Sequence, residues 1–140
     1  MEQDAAVIAE LALQLEHGPV DSRLVQAGLG KILSCNDATV LVYTVEERVV
    51  GWLHVFCIHR LGSEPFAEIA AMVVDGTQRR QGAGAALVEA ARGWTQQQGL
   101  AKLRVRTNEL RQEAPAFYKA LGFVNVKSQN VMDLPVNIGS

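Results

Sequence analysis

A glycine-rich turn between an apolar strand and an amphipathic helix is the feature that most constrains this chain. The turn, residues 79–84 (RRQGAG), follows the apolar run Ile69–Val74 and precedes helical periodicity over Ala85–Gln98. Such a turn gathers backbone N–H groups at a helix N-terminus, where the helix dipole is positive, and so predicts a pyrophosphate site. Glycines there also permit close packing in an ordinary strand-to-helix turn. The predicted phosphate contacts are Arg79, Arg80, Gln81, Gly82, Ala83, Gly84 and Ala85.

The residues after the turn narrow the choice of phosphate ligand. A dinucleotide fingerprint needs a third glycine after Gly82 and Gly84, and a P-loop needs Lys-Ser or Lys-Thr, but neither is present. What remains is Arg-x-x-Gly-x-Gly, which resembles the phosphate-binding motif of the GNAT superfamily of acetyl-CoA-dependent N-acetyltransferases. A general nucleotide-binding domain stays a weaker alternative.

A second stretch strengthens this resemblance. It looks like the family's downstream signature, an Asn followed by a helix that carries Phe-Tyr and ends at Leu-Gly-Phe. Upstream, Val49-Val50-Gly51-Trp52 is similar to the family's third strand and Glu68–Val74 to its fourth. The matching downstream residues are Asn108, Arg111, Ala114, Phe117, Tyr118, Leu121, Gly122 and Phe123.

Two departures from the family pattern stand out. Residues 1–4 lead straight into helical periodicity, so the family's first strand is missing or abbreviated. Pro115 stands where relatives with this spacing often carry His. The resemblance is weakest before about residue 35 and after about residue 128.

The patterning predicts one α+β domain over residues 1–140. We expect a GNAT-like, mostly antiparallel twisted sheet of about six strands flanked by about four helices. The predicted helices are Asp4–Leu15, one from Asp21 or Ser22 to Leu33, Ala85–Gln98 closed by Gly99, and a short one that contains Pro115. The predicted strands are Thr39–Val45, Val49–His59, Phe66–Val74, Leu103–Thr107, Phe123–Val126 and Asn130–Leu134.

Composition excludes several partners. The net charge of -2 gives no basic footprint for nucleic acid or for an anionic membrane. Cys35 and Cys57 are far apart and lack metal-type spacing, so we expect no metal, no catalytic thiol and a cytoplasmic protein.

The resemblance implies that acetyl-CoA is the cosubstrate and assigns two further sets of contacts. Main-chain groups of Met72, Val73 and Val74 would bind the pantetheine arm. Asn108 would contact the same arm, although an Asn after a strand is commonly a helix cap.

Tyr118 is the candidate acid and Glu68 the candidate base. A phenol stays protonated at neutral pH and can protonate a departing thiolate, but Tyr118 can also simply pack the helix on the sheet. Strand alternation puts Glu68 on one side with Ala70, Met72 and Val74, facing the acceptor groove, and an exposed strand-end charge is the alternative. His54 is expected in the core, and His59 is an outside candidate for the base.

The predicted reaction is direct transfer of an acetyl group to a primary amine of a small molecule. Lysine or N-terminal acetylation of proteins is an alternative within the same chemistry. A non-catalytic acetyl-CoA-binding module is the alternative from another class. Apolar residues on the C-terminal strands predict a possible homodimer.

Overall fold

The computed structural model describes residues 22–76, 82–107, 113–137 and 139. Contacts divide the chain into two compact units, one through Arg106 and one from Thr107, and each is described by itself. The elements are α1 (Ser22–Leu33), β1 (Ala38–Val45), β2 (Arg48–Ile58), β3 (Phe66–Val74), α2 (Ala83–Gln97), β4 (Leu103–Val105) and α3 (Glu113–Ala120).

The strands form one sheet in the order β1-β2-β3-β4. The β1/β2 and β2/β3 pairs are antiparallel and β3/β4 is parallel, because α2 connects the last two strands. The predicted mostly antiparallel α+β sheet is confirmed, with four strands among the described residues instead of about six. Residues 123–137 carry no strand, so both predicted closing strands are absent there. The predicted helix Asp4–Leu15 lies outside the described residues.

A two-residue turn, Glu46-Glu47, joins β1 to β2 in an antiparallel hairpin. Glu46 and Glu47 have φ values of 51° and 68°, the left-handed conformation that a tight hairpin of this hand requires at both central positions. Asn and Gly suit these positions better than Glu does, so the chain accepts local strain here.

One face of the sheet packs against α2. A Cβ on Gly51 would lie 3.3 Å from Leu87 Cδ1 of that helix, so the missing side chain allows a close approach. Register places Leu53, Val55 and Ile69 on the same face as Gly51, and all three are buried. The hydrophobic core of the first unit therefore lies between this face and α2.

The opposite face carries Glu68, and its neighbours differ from those predicted. The β2/β3 register steps from His54↔Ala71 to Val55↔Ile69, which makes Ala70 the extra residue of a β-bulge. Glu68 thus shares its face with Ala71 and Val73, whose partners on β2 are His54 and Trp52. The prediction that Glu68, Ala70, Met72 and Val74 point the same way is wrong, because one inserted residue inverts the alternation beyond it.

The second unit contains α3 and the loop after it. Pro115 lies in the first turn of the helix, where a missing N–H breaks no intrahelical bond, as the sequence predicted. Gly122 adopts φ 104° just after the helix, and the N–H groups of Leu121 and Phe123 both donate to the Tyr118 carbonyl. The left-handed glycine therefore reverses the chain and returns Phe123 onto α3.

Within the described part of the chain, no helix is long and apolar enough to cross a membrane.

Candidate active site

The start of α2 is described from Gly82 onward. Gly82 is the residue before the helix, with φ 88° and ψ 0°, and no side chain caps the helix start. The first helical bond runs from the Ala86 N–H to the Gly82 carbonyl, so the three amides between them have no carbonyl partner within the helix. Ala83, Gly84 and Ala85 supply those amides. Arg79, Arg80 and Gln81 lie outside the described residues.

The strand that leads into this turn has an open edge. In the described chain, β3 pairs with β4 only at Ala67, Glu68 and Ile69, while its pairing with β2 continues to Val74. From Ala70 onward, half of the backbone N–H and C=O groups of β3 therefore face no neighbouring strand on the β4 side. This stretch contains Met72, Val73 and Val74, the predicted main-chain contacts of a pantetheine arm.

Glu68 lies just before the bulge and is held by a partner that the sequence did not reveal. The Glu68 side chain is only 11% exposed, and its Oε1 accepts a hydrogen bond of 3.0 Å from Nε of Arg106. Arg104 is the register partner of Glu68 on β4, and strand alternation places Arg106 on the same face. A buried carboxylate with a charged donor has a fixed orientation, as a group that handles protons must have.

Two side chains with rings, His54 and Trp52, lie on the same face of the sheet as Glu68. His54 is half-buried, its ring centre lies 5.7 Å from that of Phe56, and burial lowers the pKa of its imidazole. His54 is thus biased toward the neutral form. Trp52 is buried, and its indole N–H has no hydrogen-bond partner among the described residues.

His59 lies near the end of β2, apart from Glu68, His54 and Trp52. Its Nε2 lies 3.8 Å from an Asp37 carboxylate oxygen, and both side chains are more than half exposed. An exposed pair at this distance fits a surface contact, and nothing in it favours His59 as the base over Glu68.

Tyr118 is buried on α3 in the second unit. Its ring lies 5.0 Å from that of Phe117 and 5.3 Å from that of Phe123, both in edge-to-face geometry. Burial raises the pKa of the Tyr118 phenol. The phenol is therefore protonated at neutral pH, in a position fixed by two aromatic neighbours. Asn108 lies outside the described residues.

The two cysteines differ in their surroundings. Both are free, and Cys35 is exposed. Burial, followed by the charge of Asp37, raises the pKa of the Cys57 thiol, which reduces its thiolate fraction. Register pairs Cys57 with Ala67, on the sheet face opposite Glu68. No group of three His, Cys, Asp or Glu residues in the described ranges is placed to hold a metal ion.

Sequence reasoning missed the cationic side chains around Glu68. Arg60, Lys102 and Arg104 lie over the Phe66 ring at 5.4, 4.6 and 4.4 Å, and Arg106 holds Glu68. The available signal was the alternation of Lys102, Arg104 and Arg106 with the residues between them, which is typical of a strand with one polar face. The parallel pairing of β4 with β3 decides which carboxylate and which ring lie next to these cations. Local sequence pattern does not determine that pairing.

The fold matches solved structures along nearly the whole chain. A transcriptional regulator from Bacillus halodurans superposes with a TM-score of 0.86 at 20% identity, covering 96% of this chain and 95% of that one. An aminoglycoside acetyltransferase from an uncultured soil metagenomic sample, in complex with sisomicin, gives 0.76 at 22%, covering 97% and 92%. AAC(6')-Iy, in complex with a CoA-containing bisubstrate analogue, gives 0.84 at 17%, covering 96% and 93%. At these identities the likeness establishes the fold alone.

Sequence comparison gives the family. No curated protein matches the chain as a relative. The family model for the acetyltransferase (GNAT) domain matches residues 36–125, which include all four strands, the glycine turn and the Phe-Tyr helix. The chain therefore belongs to the GNAT acetyltransferase family.

Proposed function

We propose that the protein transfers the acetyl group of acetyl-CoA directly to a primary amine of a small molecule. One observation carries the proposal: the edge of β3 that no described strand covers beyond Ile69 runs toward a helix that starts at a left-handed glycine, and three amides at that start have no carbonyl partner within the helix. A pantetheine arm needs main-chain partners and a diphosphate needs clustered N–H donors, and these lie in sequence along one path. Arg79, Arg80 and Gln81 would add charge and donors to the diphosphate, and Asn108 a contact to the arm.

Glu68 is the proposed base. An acceptor amine is protonated at neutral pH and cannot attack a carbonyl carbon until it loses that proton. The Glu68 carboxylate is oriented by Arg106 and lies next to the bulge where the strand edge opens. It would take the proton directly or through a water molecule.

Tyr118 is the proposed acid. When the new C–N bond forms and the C–S bond breaks, the sulfur leaves as a thiolate that needs a proton. A phenol with a pKa near 10 is a weaker acid than a thiol near 8.5, and burial raises the Tyr118 pKa further. Transfer must therefore be concerted with departure of the sulfur, and it requires a phenol that is fixed and protonated, as Tyr118 is.

Direct transfer is favoured over an acetyl-enzyme. Of the two cysteines, Cys35 is exposed and Cys57 lies across the sheet from Glu68 with a raised thiol pKa. A nucleophilic thiol is activated by a lowered pKa, whereas burial and the charge of Asp37 raise the pKa of Cys57. The reaction would therefore proceed in a complex of acetyl-CoA, amine and protein.

The alternatives make different predictions. Acetylation of protein lysines or N-termini uses the same groups with a larger acceptor. A binding module would hold acetyl-CoA without turnover. The fixed carboxylate of Glu68 and the protonated phenol of Tyr118 favour catalysis, because binding of the cosubstrate requires neither group.

Thiol release from acetyl-CoA over a panel of amines tests the proposal. The panel contains aminoglycosides, polyamines, amino acids and a lysine-containing peptide. We expect thiol release in step with N-acetylated product for at least one small amine. Binding of acetyl-CoA without turnover throughout would favour the binding module, and turnover of the peptide alone would favour a protein acetyltransferase.

A further inference from the structure

The surroundings of Glu68 carry information about the acceptor. On the face opposite α2, four cationic side chains from β4, its flanking residues and the loop after β2 surround one aromatic ring and one carboxylate at the start of β3. Phe66 is 3% exposed, and its ring is flanked by Arg60, Lys102 and Arg104. We call Arg60, Lys102, Arg104 and Arg106 the cationic cluster.

The cluster is held in place by its aromatic neighbour. A cation in contact with the face of a buried aromatic ring is attracted to the ring and loses part of its rotamer freedom. Cζ of Arg104 lies 4.4 Å from the Phe66 centroid, and the side chain is only partly exposed. Arg104 is thus partly ordered before any ligand arrives, which reduces the entropy lost on binding.

No carboxylate of the described residues forms an ion pair with Arg60, Lys102 or Arg104: Asp37 lies with His59 near the end of β2, and Glu64 is exposed in the loop before β3. Within the cluster, Arg106 forms an ion pair with Glu68. An anion that enters here meets opposite charge, whereas a polycation meets like charge.

We propose that the acceptor is a small amine that carries an anionic group, a carboxylate or a phosphate, a few bonds from the amine. The proposal rests on the proposed function and names its substrate class. The amine lies at Glu68 and the anionic group at Arg104 and Lys102. Phe66 and Glu68 are two residues apart on one strand, about 7 Å, which a chain of three or four methylenes spans.

Three acceptors of equal chain length test the proposal. 4-Aminobutyrate is the anionic probe, butylamine the neutral one and 1,4-diaminobutane the cationic one, and the first two have amines of similar basicity. We expect kcat/KM to fall about tenfold from the anion to the neutral amine, and further to the diamine. Phosphoethanolamine against ethanolamine then tells whether a phosphate replaces the carboxylate.

Single substitutions test whether the cationic cluster causes the preference for the anionic amine. Arg104→Gln and Lys102→Gln should each bring the ratio of kcat/KM for 4-aminobutyrate over butylamine toward one. Arg92→Gln is the matched control, because Arg92 lies exposed on α2, across the sheet, and should keep the wild-type ratio. Thermal unfolding of each variant checks that it is folded.

The outcomes separate this proposal from the proposed function. A ratio near one, a preference for the diamine, or a ratio unchanged in Arg104→Gln overturns the anionic acceptor and leaves acetyl transfer intact. If no amine is acetylated, the proposed function fails. Calorimetry with 4-aminobutyrate on the CoA-bound protein then decides whether the cationic cluster is an anion site. Binding that Arg104→Gln weakens would support an anion site, and absence of binding would overturn it.

Discussion

At the scale of single residues, Tyr118 combines burial with a fixed orientation. Two edge-to-face contacts hold the ring, and burial keeps the phenol protonated. We predict that Tyr118→Phe lowers kcat about 100-fold and leaves acetyl-CoA affinity unchanged, because only the proton donor is lost. Steady-state kinetics and calorimetry measure the two quantities.

Tyr43→Phe is the matched control for this substitution. Tyr43 is the other tyrosine of the chain, lies half-buried on β1 and has no proposed role. Its kcat should equal that of the wild type. An unchanged rate in Tyr118→Phe would remove Tyr118 from the acid role.

The proposed role of Glu68 predicts how the reaction rate depends on pH. If this carboxylate takes the proton of the amine, the rate falls at acid pH as the carboxylate becomes protonated. Glu68→Gln should therefore lower the rate and remove the acidic limb of the pH–rate profile. The amide oxygen can still accept from Arg106, so the fold is kept. Glu64→Gln, in the exposed loop before β3, should keep the wild-type profile, and persistence of the limb in Glu68→Gln would count against the base role.

At the scale of elements, the β1–β2 hairpin stores strain that can be relieved. Glu46 and Glu47 both have positive φ, and the preferred pair for such a turn is Asn-Gly. The double substitution Glu46→Asn/Glu47→Gly should raise the free energy of unfolding by about 1 kcal/mol. Denaturant unfolding measures it.

Glu64→Gly serves as the control for the hairpin, because Glu64 does not have a positive φ and glycine offers it no relief. We expect no gain in stability there. An equal gain in both proteins, or a loss in the double variant, would mean that the left-handed turn is not the source of the effect.

At the scale of the whole molecule, the second unit exposes apolar residues of the kind that a protein interface buries. Six large apolar side chains between residues 124 and 136 are 72 to 88% exposed. Such a run is uncommon on a monomer surface, and the partner we propose is a second copy. The residues are Val124, Val126, Val131, Met132, Leu134 and Val136.

Light scattering tests the homodimer. The wild type should be a dimer, and Leu134→Asp should shift it toward monomer because a charge would be buried at the contact. Leu61→Asp, at a fully exposed loop position of the first unit, should leave the dimer intact. A wild-type monomer at high concentration would contradict the proposal.

The sequence pattern predicted the features of this molecule that depend on residues close together in the chain. The strands β1 to β3, the start of α1 and the left-handed Gly99 follow from period, caps and turn residues, and all are as predicted. The bulge at Ala70 and the pairing of Glu68 with Arg106 depend on register between distant strands. No local periodicity encodes that register, so the face of Glu68 was predicted with the wrong neighbours. One domain over residues 1–140, and the roles of the site residues, stay predictions.

The central claim is that the helix start at Gly82 binds the diphosphate of CoA, and calorimetry with CoA tests it most directly. Gly82 and Gly62 both have a left-handed φ, 88° and 83°, and a Cβ would meet open space at either position. Alanine at each should therefore cost a similar stability, about 1 kcal/mol. We predict that the wild type and Gly62→Ala bind CoA equally and that Gly82→Ala binds about tenfold more weakly. No binding heat from the intact wild type, or equal affinities in the two variants, would contradict the account.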